Sequence, residues 1–70
     1  MERKKVNSST LRSVGYDEKQ QILEIEFTGS SIYQYSGVPG EVYRRFMSSP
    51  SLVSYYRDNI EEAYNVKRVR

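Results

Sequence analysis

The sequence predicts an α+β domain: a three-stranded antiparallel β-meander with two C-terminal helices packed on one face, in the order β-β-β-α-α. Three observations carry this. Leu23, Ile25 and Phe27 alternate with Glu24 and Glu26, the two-residue period of a strand with one buried and one wet face. Short polar connections at Asp17–Gln20 and Thr28–Ser30 leave room only for antiparallel neighbours. After Val38-Pro39-Gly40 the apolar residues recur instead at helical spacing.

The elements follow in order. Residues 1–10 are rich in Ser, Asn and charge and show no hydrophobic period, so they are expected to form a mobile basic segment. The single folded domain is placed at 11–66, with 67–70 as a basic tail. Its strands are expected near 11–16, 21–27 and 31–36, the first with Val14 and Tyr16 on one face. The loop between the second and third strands decides where Tyr33 and Tyr35 point, because a one-residue change of register reverses every side chain. A two-residue Gly29-Ser30 turn puts Tyr33 opposite Glu26 and turns both tyrosines away from the core. A three-residue loop puts Tyr33 opposite Ile25 and Tyr35 opposite Leu23, both inside.

Pro39 fixes φ beside a helix start, and Val42, Tyr43, Phe46 and Met47 form one stripe of a short helix near 40–48. Ser48-Ser49-Pro50 interrupts it. Ser51 is a suitable N-cap for a second helix near 51–64, with Leu52, Tyr56, Ile60 and Ala63 inward. A further strand from Val66 to Val69 is only weakly signalled.

Composition narrows function. A chain of 70 residues buries a small core and has little room for an internal cavity. With neither Cys nor His, the usual thiolate and imidazole ligands and bases are missing, so no catalytic residue, metal or cofactor is expected. No apolar run reaches the ~20 residues of a membrane span, and the N-terminus has no apolar signal core. The reading is a cytoplasmic monomer.

Net charge is +2, but its distribution is uneven. Arg3, Lys4, Lys5, Lys67, Arg68 and Arg70 hold six of the eleven basic residues, leaving a body of net charge −3 between them. Basic ends of this kind engage phosphates or simply keep a chain soluble. Tyr33 and Tyr35 are candidates for stacking bases, or for packing, and Arg44 and Arg45 are candidates for phosphate contact, or a solvated helix face. The acids Glu24 with Glu26, and Asp58 with Glu61 and Glu62, lack the apolar surround of a catalytic carboxylate pair.

The succession Ser8-Ser9, Val14-Gly15-Tyr16-Asp17, Leu23 to Phe27, Tyr33-Gln34-Tyr35, Val38-Pro39, Val42-Tyr43, Ser51, Tyr55-Tyr56, Ile60 and Tyr64 resembles the KTSC domain, over roughly residues 6–69. That family is named for the C-terminus of certain lysyl-tRNA synthetases. The resemblance implies a small domain found both as a synthetase appendage and alone, of unknown function, with RNA binding suggested. Tyr33 and Tyr35 match the family's Tyr-x-Tyr. Val53 stands where the family usually has glycine, and Glu61 where a basic residue often follows the isoleucine, which removes positive charge from the second helix. Two functions are therefore expected: RNA or other single-stranded nucleic acid bound through the basic ends and the Tyr33/Tyr35 strand, or a protein partner docked through tyrosines or the sheet edge.

Overall fold

The computed structural model describes all of residues 1–70 as a five-stranded antiparallel sheet in sequence order, with two helices on one face. The strands are β1 (Arg3–Lys5), β2 (Leu11–Asp17), β3 (Ile22–Phe27), β4 (Ile32–Ser36) and β5 (Asn65–Arg68); the helices are α1 (Gly40–Met47) and α2 (Leu52–Asn59). The α+β class and the two helices agree with the sequence reading. The number of strands does not. β1 and β5 extend the expected three-stranded meander at both edges, so basic residues expected in terminal tails lie on paired strands. The physical reason is that edge ladders are built from backbone N–H and C=O groups, whatever the side chains. Arg-Lys-Lys and Asn-Val-Lys-Arg carry no apolar alternation, since neither strand supplies a residue to the buried core.

The β3–β4 loop is the three-residue alternative. Phe27 N–H donates to Ser31 O at 2.8 Å and Ser30 N–H donates back to Phe27 O at 3.1 Å, closing a loop of Thr28, Gly29 and Ser30. Gly29 and Ser30 both take positive φ, 98° and 73°, and only glycine does so without steric cost. The register that follows pairs Leu23 with Tyr35 and Ile25 with Tyr33, so both tyrosines face the helices.

In β2 a bulge between Leu11 and Ser13 shifts the side-chain parity, which lets Leu11 and Val14 enter the same core although they are three residues apart. Val38 and Phe46 join them, together with Ile60, which follows directly on α2. Each fully buried Leu, Ile or Phe contributes roughly 1.5–3 kcal/mol. The helices are fastened to the sheet by rings: Tyr43 of α1 stacks on Tyr16 of β2 at 4.6 Å, and Tyr56 of α2 meets Phe27 of β3 at 5.4 Å. Ser51 caps α2 as expected, its side chain accepting from Ser54 N–H. α2 ends at Asn59, short of the expected 64, because the chain must turn at Ile60–Ala63 to pair β5 with β4. No helix is long and apolar enough to cross a membrane.

Candidate functional site

Register sorts the side chains between two sheet faces, because directly paired residues point the same way. Across the helix-covered face run Val14, Ile25, Tyr33 and Arg68, and beside them Tyr16, Leu23, Tyr35 and Val66. Across the open face run Arg3, Gly15, Glu24, Gln34 and Lys67, and beside them Lys5, Ser13, Glu26 and Ile32.

On the helix-covered side, a cleft of about 440 Å³ opens beside β5, lined by Phe27, Ser31, Tyr33, Tyr35, Tyr56, Glu61 and Val66. Its aromatic walls meet edge to face: Phe27 with Tyr33 at 5.6 Å, Phe27 with Tyr56, and Tyr35 with Tyr56 at 5.9 Å. Tyr35 is its floor, only 3% exposed, with its hydroxyl 2.6 Å from that of Tyr56. Burial raises both phenols above the ordinary tyrosine range; for Tyr35 the Tyr56 hydrogen bond adds to the rise, whereas the same bond partly offsets it for Tyr56. Both hydroxyls are neutral at physiological pH. Tyr33 is half-buried at the rim, Val66 is 51% exposed, and Arg68 is the direct cross-strand neighbour of Tyr33.

The open face is wired differently. Arg3 of β1 reaches across Gly15 to pair with Glu24 of β3, while its Nε donates to Ser13 Oγ at 3.0 Å. Gln34 donates to Glu24 from the other side at 2.8 Å, and Ser13 Oγ donates to Glu26 at 2.8 Å. Burial alone would push the Glu24 carboxyl up, but hydrogen bonds from Gln34 and Arg3 outweigh it and hold the group below its ordinary value. Glu26 is lowered chiefly by the Ser13 hydrogen bond. A general acid needs the opposite shift, so this pair serves as the polar centre of the face.

The candidate residues of the sequence reading are thus dispersed. Tyr33 and Tyr35 line the cleft, and Arg68 stands outside its lining, opposite Tyr33 on β5, with its Nε donating to Arg70 O at 3.1 Å; Lys67 is on the same strand but the other face. Arg70 follows β5, with a guanidinium nitrogen 3.3 Å from Glu26. Arg3 is engaged with Glu24, and Lys4 and Lys5 lie with it on the far edge, four strand spacings or about 19 Å from β5. Arg45 pairs with Glu41 on the exposed side of α1, and Arg44 lies near Gly40 and Tyr16, outside the lining of the cleft. Five lining residues were not among the expected site residues: Phe27 and Tyr56, which read from their strand and helix spacing as core, Ser31 at the end of the β3–β4 loop, and Glu61 and Val66, which only the return of the chain after Ile60 brings to the cleft. A larger cleft of about 560 Å³ lies between the β1–β2 loop and the turn joining the helices, but it contains no ionisable or aromatic side chain.

The geometry has relatives. An uncharacterised protein of Stutzerimonas stutzeri strain A1501 is 45% identical over 56 residues, covering 80% of this chain and 79% of its own length. A protein of Tsukamurella paurometabola is 41% identical over 46 residues, 66% of this chain and 69% of its own. The crystal structure of a KTSC domain protein from Yersinia pestis superposes with a TM-score of 0.96 at 33% identity, covering 99% of this chain and 97% of that one. The model of the KTSC domain matches residues 7–64, and the chain accordingly belongs to the KTSC domain family.

Proposed function

We propose that the chain is a non-catalytic binding module for single-stranded nucleic acid, RNA in the first place, and that the β5 edge with its neighbouring cleft is the contact surface. One observation carries this reading: Tyr33, which lines an aromatic cleft, is the direct cross-strand partner of Arg68. A ring able to stack a base therefore stands beside a guanidinium able to hold a phosphate, the two halves of single-strand recognition. Lys67, on the other side of the same strand, has no carboxylate partner and offers a second phosphate contact. Tyr35 contributes by positioning; it is too deeply buried to stack on a ligand. The β1 cations are too distant to share this contact, and charge on both edges opposes edge-to-edge pairing of copies.

Titrating a labelled single-stranded RNA at two ionic strengths tests the reading. If Lys67, Arg68 and Arg70 each meet a phosphate, log affinity should fall against log salt with a slope of about −2, at roughly −0.7 per phosphate. Lys67→Gln with Arg68→Gln should flatten the slope, whereas Lys4→Gln with Lys5→Gln should leave it unchanged. Tyr33→Leu keeps apolar bulk but removes the ring, and should weaken binding by about 1–3 kcal/mol without altering the slope. A second reading, a protein strand added along β5, is favoured by that strand's unpaired outer edge and by exposed Val66. Folded protein that ignores RNA at low salt would leave docking of a protein strand as the account.

A further inference from the structure

The cleft beside β5 differs from the strand that borders it in the sign of its charge. Lys67, Arg68 and Arg70 are all basic, yet the cleft lining contains no basic residue and one acidic residue, Glu61. No ion pair in the chain involves Glu61, and its charge opposes ionisation of both phenols at the cleft floor. A phosphate is repelled from such a cleft and attracted to the strand outside it. The group that enters must be flat and apolar on its faces, to lie against Tyr33 and Val66. At its edge it must present N–H donors, because an ionised carboxylate accepts hydrogen bonds and donates none.

We propose, resting on the nucleic-acid reading above, that the Tyr33/Tyr56/Val66 cleft holds a single unpaired base and that Glu61 makes it selective for guanine and against uracil. Guanine carries N1–H and the N2 amino group side by side, a donor pair that matches the two carboxylate oxygens. Cytosine and adenine each present one amino group and rank between. Uracil flanks its lone N–H with two carbonyl oxygens, which face the carboxylate lone pair to lone pair. A well-placed bidentate contact discriminates by ~1–3 kcal/mol, a factor of about 5 to 150. The cleft reads the base while Arg68 and Lys67 hold the backbone.

The test compares a uridine pentamer with the same pentamer carrying guanine at its centre, titrated into the wild type and into Glu61→Gln. Glu61 is exposed, so the substitution leaves the fold intact, which a thermal melt verifies. The wild type should bind the guanine pentamer about tenfold tighter. Glu61→Gln, whose carboxamide offers both donor and acceptor, should lose most of that preference while keeping the salt slope. Equal wild-type affinity for the two pentamers would overturn the base-selective cleft while leaving the nucleic-acid surface in place. A preference that survives in Glu61→Gln would equally overturn the assignment of Glu61 as the reader. Binding of neither pentamer at low salt would overturn the selectivity and the nucleic-acid reading together.

Discussion

Gly15 lies under the side chain of Arg3, and a β-carbon there would come within 2.6 Å of the Glu2 carbonyl oxygen and 2.9 Å of Arg3 Cγ. The missing side chain is what lets Arg3 cross β2 and reach Glu24. Gly15→Ala should therefore displace β1 and cost about 1–3 kcal/mol, read as a lower urea midpoint and faster amide exchange in residues 3–5. Glu24 makes a second prediction at this scale. Its carboxyl is depressed in the folded state, so its contribution to stability is present above the unfolded value of about 4.3 and is lost as pH falls through the lower folded value. Thermal melts should show wild type losing stability below about pH 4.3 more steeply than Glu24→Gln. A parallel decline of the two proteins would mean that Arg3 and Gln34 do not stabilise the ionised carboxyl.

At the scale of elements, the apolar alternation of Leu23, Ile25 and Phe27 marked a strand, but burial is graded along it. Leu23 and Ile25 are fully buried, whereas Phe27 is only partly covered and forms a wall of the cleft. The anchor of the core is Phe46 of α1, without solvent exposure. Phe46→Ala should cost about 3–5 kcal/mol and Phe27→Ala clearly less, while Arg45→Ala on the exposed side of the same helix should change stability by less than about 0.5 kcal/mol. Denaturant titrations of the three variants give that order directly. The central strands and both helix starts were legible because buried faces impose a period and Pro39 and Ser51 mark the starts. Of the edge strands, β5 was only weakly signalled at Val66–Val69 and β1 not at all, since a backbone ladder leaves little trace in side-chain pattern. The direction of Tyr33 and Tyr35 depended on one loop residue, and Thr28-Gly29-Ser30 is compatible with either register. Glu61 became a cleft residue only through the turn that ends α2 early.

For the whole molecule, the consequence of the five-stranded order is that its terminal basic residues are separated onto opposite edges of one sheet. In sequence they read as equivalent tails; in the fold they are not equivalent. β5 borders the aromatic cleft, and β1 borders the Arg3–Glu24 network. On the proposed reading, both edges attract a polyanion at long range and only β5 makes close contact with it. The central claim is this asymmetry, and chemical-shift mapping of the isotopically labelled protein with a short single-stranded RNA tests it most directly. Binding at β5 predicts the largest shifts at Tyr33 and at Val66, Lys67 and Arg68, with residues 3–5 nearly unmoved. Shifts centred on residues 3–5, or spread evenly over both edges, would contradict it.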